Sequence, residues 1–409
     1  MPQFKKYKLG ELYDVSSGLS KPREEFGFGH PFVTFKDVFY NYFLPKKLSE
    51  LANTNEKEIK SCSVKKGDIF LTRTSETMNE LGMSSVALKD YPNATFNGFS
   101  KRLRLKEDVD VQIDPVFIGY LFRTNEIRNQ IDMHASMTTR ASLNSTAINS
   151  IEISIPDIKY QIPIGNILKC LDDKIELNRR TNQTLEQIAE SLFKKYFVDD
   201  IDPENLPNEW TNDKIGNNVE TILGGTPSTK NEEFWNNGNI PWINSGKANE
   251  FRIVEPTTYI TEKALKHSNT KLLPKRTTII AITGATMGQI SRLEIDSCAN
   301  QSIIGILESE KIPSEFIYFW LKENLMEILS HATGGAQQHI NKNNINDTIV
   351  IVPDKDLIIQ FSKLIKPVFE KISLNCFENL KLQKIRDSLL PKLMSGEIEI
   401  NATHKELVN

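Results

Sequence analysis

The chain has 409 residues, of which 39% are hydrophobic and 25% charged, and its formal net charge is -3. This length predicts two domains. No apolar run approaches the roughly 20 residues of a membrane helix, and the opening MPQFKKYKLGELYD lacks the apolar core of a secretory signal. We therefore expect a cytoplasmic protein with no membrane partner. The slightly acidic charge argues against a free-standing nucleic-acid binder, because phosphate neutralisation requires Lys and Arg; such a site would need a local basic patch or help from a partner.

The predicted elements form two similar series. In residues 1–156, β-rich segments at 68–72, 84–88 and 151–155 predict strands, and 115–132 predicts a helix. A long helix at 157–197 and a linker at 198–210 follow. Residues 211–353 repeat the series with strands at 278–283 and 348–352 and a helix at 313–331, before a second long helix at 354–398 and a flexible tail at 399–409. We predict an α+β fold of two domains with curved β-sheets, separated by two long antiparallel coiled-coil-like helices.

An internal duplication supports this division. SLNSTAINSIEISIP (142–156) aligns without a gap to HINKNNINDTIVIVP (339–353) at a shift of 197 residues, and the same shift continues from 157–197 to 354–394. Upstream the shift drifts, as insertions in surface loops produce. The sequence therefore predicts two copies of one unit, each a globular domain followed by a helix.

Each long helix has an apolar seam whose steps alternate between three and four residues, as in a coiled coil. The predicted packing residues are Leu171, Ile175, Asn178, Asn182, Leu185 and Leu192 in the first helix, and Val368, Ile372, Asn375, Asn379, Leu382 and Leu389 in the second. The paired asparagines predict one fixed alignment of the helices; solvated breaks are the alternative. We expect Pro367 to kink or restart the second helix and Pro391 to mark its last turn, and the first helix would be shorter if Pro163 delayed its start.

The sequence lacks the common signatures of chemistry. GGTPSTK (224–230) lacks the P-loop spacing, and GATMG (284–288) lacks the third Rossmann glycine, so both are interpreted as turns. The four cysteines lie far apart without a CxxC pair, which argues against disulfides and zinc. We expect no catalytic residue, metal or cofactor in this chain.

Several strings together resemble a known family. AESLFKKYFVD and RDSLLPKLMSGEI close the two helices, GGTPSTKNEEFW and NIPWINSG open the second domain, and TGGAQQHINKNNI lies near its end. In combination they resemble the specificity subunit of type I restriction-modification enzymes, and the resemblance covers essentially the whole chain.

The resemblance implies a non-catalytic DNA-binding subunit. Each domain would read one half of a split double-stranded DNA target, and the helices would act as spacer and docking surface. The implied partners are two methyltransferase subunits, which use S-adenosylmethionine to methylate adenine N6, and an endonuclease/translocase subunit, which uses ATP and Mg. A helix over 157–197 would be about 60 Å long, and lengthening it should lengthen the unread gap.

Base edges are contacted by Arg, Lys, Asn, Gln, Ser and Thr, so the candidate DNA-binding residues are those of these types that lie where loops leave strands. In the first domain they are Arg73, Thr74, Lys101, Arg102, Thr138, Thr139 and Arg140. In the second they are Lys247, Thr283, Thr286, Gln301, Gln337, Gln338 and His339. Ordinary solvated loop residues are the alternative for each position.

Three other functions remain open from the sequence. A coiled-coil adaptor without a DNA role would share the duplicated helices. An enzyme would need a motif that has diverged beyond recognition. A specificity subunit from a related restriction system with a different subunit organisation would show the same strings.

Overall fold

Two 40-residue helices end the two series of elements: Ile158–Phe197 and Lys355–Met394. The computed structural model describes residues 3–75, 80–137, 141–332, 339–398 and 400. Contacts divide the chain into unit 1, Met1–Lys174 with Leu382–Asn409, and unit 2, Ile175–Lys381. Each unit therefore contains part of both long helices.

Unit 1 begins with alternating short strands and helices. Its strands are β1 (Lys5–Lys8), β2 (Tyr13–Ser17), β3 (Phe26–Val33), β4 (Leu51–Ala52), β5 (Ile69–Thr72), β6 (Thr74–Ser75), β7 (Ser84–Val86), β8 (Thr95–Phe96), β9 (Ser100–Leu105), β10 (Ser136–Met137), β11 (Ala141–Ser142) and β12 (Glu152–Ile155). Its helices are α1 (Leu9–Leu12), α2 (Phe35–Tyr40), α3 (Glu56–Ser61), α4 (Pro115–Leu121), α5 (Asn125–His134), α6 (Ser145–Ser150) and the start of α7 (Ile158–Phe197).

Unit 2 follows the same plan with fewer elements. Its strands are β13 (Thr211–Lys214), β14 (Thr221–Leu223), β15 (Ile240–Ile243), β16 (Thr258–Ile260), β17 (Leu272–Leu273), β18 (Thr278–Ala281), β19 (Ile290–Arg292), β20 (Ser297–Ala299), β21 (Ile303–Ile306) and β22 (Ile349–Val352). Its helices are α8 (Glu262–His267), α9 (Ser314–Glu323), α10 (Leu325–Ser330), α11 (Lys342–Asn346) and most of α12 (Lys355–Met394).

Sheet connectivity repeats between the units. The sheet β2-β9-β5-β7 of unit 1 corresponds to β14-β21-β18-β19 of unit 2, and the pair β1-β12 corresponds to β13-β22. In a second sheet, β3 pairs in parallel with β8, as β15 does with β20. The α+β duplication predicted from the sequence is confirmed at the level of strand order.

Matched caps begin the helices that precede the last strand of each unit. The Asn144 side chain accepts a hydrogen bond from the Ala147 amide at α6, and the Asn341 side chain accepts one from the Asn344 amide at α11. Asparagine is favoured at this position because its side chain satisfies an amide that has no partner within the helix. These asparagines lie 197 residues apart, at the shift found in the sequence.

Each core packs its globular part against segments of the long helices. In unit 1, Phe117 and Tyr120 of α4 are buried with Leu168 of α7 and Leu390 of α12. In unit 2 the contact is aromatic, and the Phe197 ring lies 5.0 Å from that of Phe316 and 4.9 Å from that of Phe361. Burying one such side chain contributes roughly 1.5–3 kcal/mol, so the helices stabilise the domains that they contact.

A tyrosine and a carboxylate link the globular part of each unit to α7. In unit 1, Tyr120 Oη donates to Asp172 Oδ2 at 2.6 Å. In unit 2, Tyr318 Oη donates to Glu186 Oε1 at 2.8 Å. A cation accompanies each pair: Arg386 lies 2.6 Å from Asp172, and Lys322 lies 2.9 Å from Glu186.

The prolines within the two long helices do not interrupt them. α7 begins at Ile158 and includes Pro163, so this proline does not delay the helix. α12 runs from Lys355 to Met394 as one element, so of the two effects predicted for Pro367, a kink or a restart, the restart is wrong. Pro391 does lie in the last turn. At Pro367, tertiary packing offsets the loss of one backbone hydrogen bond, since Ile365 and Phe369, two residues to either side, are buried.

Among the described residues, none of the helices combines the length and the apolar character that crossing a bilayer requires.

Candidate nucleic-acid interface

Three segments meet at one end of the main sheet in each unit, held by equivalent backbone hydrogen bonds. In unit 1, the Arg73 amide donates to Phe99 O at 2.9 Å, and the Leu143 amide donates to Arg73 O at 2.9 Å. In unit 2, the Ile282 amide donates to Ser302 O at 2.9 Å, and the Ile340 amide donates to Ile282 O at 3.1 Å. We name these places junction 1 (Arg73–Ser75, Asn97–Ser100, Ser142–Asn144) and junction 2 (Ile282–Thr286, Asn300–Ile303, His339–Asn341).

The same asparagine turn forms the middle segment of both junctions. Asn97 Oδ1 accepts from the Phe99 amide at 2.9 Å, and Asn300 Oδ1 accepts from the Ser302 amide at 3.2 Å. A glycine packs on each turn, because a Cβ atom at Gly18 or Gly224 would overlap the carbonyl oxygen of Asn97 or Asn300. Backbone and glycine contacts therefore fix the course of these loops, and the side chains above them can differ.

Junction 1 brings together two of the candidates from the sequence. Thr74 lies in β6 opposite Ser142 of β11, and Arg73 precedes it after the end of β5. The Arg73 side chain is half-buried, and its Nε atom has neither solvent contact nor a hydrogen-bond partner. Phe99 is 59% exposed here. It was not among the predicted residues because it is apolar.

Lys101 and Arg102 were expected in a loop, and the structure corrects their position: both lie in β9 and are buried. Lys101 Nζ donates to Ser17 Oγ at 2.8 Å and Ser145 Oγ at 3.3 Å. Burial, together with the charge of Arg73, lowers the pKa of Lys101. Arg102 Nη1 donates to Ser63 O at 2.7 Å. These internal bonds hold both side chains inside the domain, so neither extends as a free loop side chain.

Junction 2 collects Thr283, Thr286, Gln301 and His339. Thr283 forms an isolated antiparallel bridge with His339, and Thr286 ends the 3-10 turn Gly284–Thr286. Gln301 is exposed, and its Oε1 accepts from Thr226 Oγ1 of the predicted GGTPSTK turn. The structure therefore brings four candidates, which lie on three separate segments of the chain, to one place.

The remaining candidates separate into two groups. Lys247 lies on the 3-10 turn Ser245–Asn249, which packs against Gly284–Thr286, and its Nζ lies 2.7 Å from Glu250 Oε1. Thr138, Thr139, Arg140, Gln337 and Gln338 lie outside the described residues.

Four of the packing residues predicted for the helices, all asparagines, form hydrogen bonds between α7 and α12 within unit 2. Asn178 Nδ2 donates to Asn379 Oδ1 at 2.9 Å, and Asn375 Nδ2 donates to Asn182 Oδ1 at 2.8 Å, so these helix segments run antiparallel. Ile175 and Ile372 are buried, whereas Leu185, Leu192 and Val368 are partly buried, and in unit 1 Leu171, Leu382 and Leu389 are also partly buried.

Exposed apolar residues recur on the two long helices at the sequence shift of 197. Leu177 is 58% exposed on α7, and its counterpart Leu374 is 64% exposed on α12. The full set of exposed pairs is Ile162 with Ile359, Ile167 with Leu364, Leu177 with Leu374, and Ile188 with Ile385. A duplicated apolar face of this kind is typical of a surface that binds a partner.

The junctions contain binding groups rather than reacting ones. Threonine, asparagine, glutamine and arginine donate to and accept from base edges and phosphates. Within the described part of the chain, no three His, Cys, Asp or Glu side chains group closely enough to hold a metal ion. The two globular parts, or heads, with their polar junctions and paired long helices are suited to a protein of the nucleic-acid-binding class.

Comparison with known proteins places the chain within that class. Residues 1–187 and 207–382 each match the family model of the type I restriction modification DNA specificity domain, so the chain belongs to this family and contains the domain twice. It is a DNA-recognition component without catalytic function, and its partners are DNA and subunits of a restriction-modification system.

Full-length relatives agree with the family match. The chain is 27% identical over 413 residues to the type I restriction enzyme MjaIX specificity subunit of Methanocaldococcus jannaschii, covering 96% of this chain and 92% of the relative. It is 27% identical over 474 residues to the HindI specificity subunit of Haemophilus influenzae, covering 97% and 100%. A crystal structure of the S subunit of a type I system from M. genitalium shares the fold, with a TM-score of 0.61, 17% identity and coverage of 98% and 97%.

Proposed function

We propose that each unit reads one half of a split DNA target through its junction. The observation that carries this proposal is a shared backbone with different side chains: Phe99 corresponds to Ser302, and Ser142 corresponds to His339. Two heads with one frame and different contact groups are suited to two different half-sites. Base contacts specify sequence, whereas the frame positions the groups that make them.

Equivalent threonines provide a direct test. Thr74 faces Ser142 in junction 1, and Thr283 faces His339 in junction 2. Thr74→Val and Thr283→Val each remove one hydroxyl while keeping the shape of the side chain. Each variant is assembled with its methyltransferase in a host without other adenine methylation. It should relax one half of the methylated sequence, because losing one hydrogen bond lowers the discrimination at one base pair by about 0.5–1.5 kcal/mol. Genome-wide mapping of methylated adenines measures this.

The matched control is Thr184→Val, on the exposed face of α7 outside both junctions. It should leave both halves of the target intact. If Thr74→Val and Thr283→Val relax both halves together, independent reading by the two units is wrong. A gel shift of the chain with its methyltransferase on target and scrambled duplexes separates DNA reading from an adaptor role, because an adaptor would retard neither.

The restriction-modification partners are proposed in finer detail. Two methyltransferase subunits dock on equivalent faces of α7 and α12, and an endonuclease/translocase subunit joins them; these partners supply S-adenosylmethionine, ATP and Mg chemistry. The four exposed apolar pairs support two docking faces, since each residue of one helix recurs on the other at a constant shift. A charge placed in an apolar interface is costly, so single substitutions should disrupt one face at a time.

Leu177→Glu and Leu374→Glu test the number of docking faces. The wild-type chain should carry two methyltransferase subunits, each single variant one, and the double variant none, as measured by native mass spectrometry. Gln183→Glu, an exposed residue on another face of α7, is the charge-matched control and should retain two. Loss of both subunits from either single variant would contradict equivalent faces.

The long helices are also proposed to set the length of unread DNA between the half-sites. Inserting seven residues after Arg180 and after Phe377 adds two turns, about 10.5 Å, to both helices while keeping the heptad pattern. The gap in the methylated sequence should lengthen by about three base pairs, at roughly 3.4 Å each. An unchanged gap would contradict the spacer role.

A further inference from the structure

Arg73 and Lys101 give unit 1 two cations where unit 2 has isoleucines. Arg73 and Ile282 make the same backbone hydrogen bonds. Lys101 pairs with Leu71 in the sheet, as Ile304 pairs with Ile280 at the corresponding register. The first globular part is also more basic than the second. Residues 1–156 contain 21 Lys and Arg and 19 Asp and Glu, whereas residues 211–353 contain 13 Lys and Arg and 15 Asp and Glu.

The two cations lack a described counter-charge. Lys101 is 9% exposed, and its ammonium group is held by the hydroxyls of Ser17 and Ser145. Among the described residues, no carboxylate forms an ion pair with Lys101 or Arg73, and Arg73 Nε has no hydrogen-bond partner. The repulsion from Arg73 contributes to the lowered pKa of Lys101. Two neighbouring cations without an acid are costly in a partly buried site, and an incoming anion would offset that cost.

We propose that Arg73, with the fixed charge of Lys101 behind it, binds a backbone phosphate of DNA at junction 1, and that junction 2 lacks this contact. The proposal rests on the DNA-reading role of the junctions. A phosphate is favoured over a base because the Lys101 ammonium group is hydrogen-bonded inside the domain. It therefore adds positive charge to the site without offering a hydrogen-bond donor to a base edge. Charge of this kind attracts any DNA sequence equally and adds to the salt dependence of binding.

Arg73→Ile tests the proposal, since isoleucine is the residue that unit 2 carries at the equivalent position. DNA affinity of the methyltransferase complex is measured between about 50 and 200 mM KCl. Loss of one phosphate contact makes the slope of log affinity against log salt less steep by about 0.9. The factor by which affinity falls between the two salt concentrations should therefore be about 3.5 times smaller for the variant than for the wild type. The methylated sequence should stay the same.

Two further variants keep the test interpretable. Arg73→Lys retains the charge and should keep the wild-type slope, and Arg179→Ile removes a charge from α7 outside both junctions and should also keep it. Where Arg73→Ile fails to fold by circular dichroism, Arg73→Gln replaces it. An unchanged slope overturns the proposal. If the target sequence changes as well, Arg73 contacts a base and not a phosphate. Absence of sequence-specific binding by the wild-type complex would instead refute the proposed function.

Discussion

Tyr120 Oη donates to Asp172 Oδ2 at 2.6 Å, which ties α4 of the globular part directly to α7. Arg386 Nη1 donates to the other oxygen of the same carboxylate at 2.6 Å. Burial and the neighbouring carboxylate raise the pKa of Tyr120, so the phenol stays protonated and remains a donor across the working pH range. The bond therefore positions the head of unit 1 on its helix.

Tyr120→Phe removes this donor and keeps the ring. We expect the free energy of unfolding to fall by about 1–2 kcal/mol, because Asp172 keeps Arg386 as a partner and loses only one hydrogen bond. Urea denaturation followed by circular dichroism measures the change. Tyr40→Phe, on a ring that is exposed, is the control and should leave stability unchanged. Equal effects of the two substitutions would contradict a role for the Tyr120 bond.

Asn182 and Asn375 form a buried amide pair between the long helices of unit 2. Asn182→Leu should destabilise unit 2 by about 1–3 kcal/mol, since the Asn375 amide would lose its partner. Replacing both by leucine should restore stability to at least the wild-type level, because an apolar seam needs no hydrogen bond. A double-mutant cycle in urea checks the coupling, and strictly additive losses would show that the pair does not interact.

Gly18 and Gly224 lie against the Asn97 and Asn300 turns, where a Cβ atom would overlap a carbonyl oxygen. Gly18→Ala and Gly224→Ala should each destabilise their own unit by about 1–3 kcal/mol through overpacking. Gly246→Ala is the control, since only the Asn244 side chain lies near its Cβ position. Thermal melting measures all three. A loss no larger than that of the control would mean that the turns move freely.

The four thiols should differ in reactivity. Burial raises the pKa of Cys376 to about 11, whereas Cys170 lies exposed on α7 and Cys62 and Cys298 are buried. The thiolate is the reactive form, so iodoacetamide at about pH 8 should alkylate Cys170 first. Peptide mass spectrometry after timed quenching checks the order, and Cys170→Ser should abolish the fast phase. Alkylation of Cys376 at the rate of Cys170 would show that the helix pair opens in solution.

The sequence was most informative where the two copies align without a gap. The shift of 197 residues predicted the duplication and the long helices at 157–197 and 354–398, because helical periodicity is a local property. The caps at Asn144 and Asn341 were found only in the structure, although the two residues lie at this shift. Strands such as β5 and β18 lie within two residues of the predicted bounds. Helix continuity at Pro367 could not be predicted locally, since packing of Ile365 and Phe369 decides it.

The candidate site was harder to predict because its contacts are distant in sequence. Lys101 was assigned to a loop, yet its partners Ser17 and Ser145 lie 84 and 44 residues away. No local pattern indicates that these hydroxyls surround one strand. Phe99 is not among the predicted residues because it is apolar, and its exposure depends on the asparagine turn beneath it.

In the junctions, the main chain determines the path of the loops, and the side chains on them form the exposed surface. Main-chain bonds and the glycine contact specify the loop path, so Arg73 or Ile282 can occupy the same position without any adjustment of the sheet. Diversity at the surface thus costs little stability. A lineage can exchange the contact groups of one head while inheriting its frame unchanged, and the other head keeps its preference throughout.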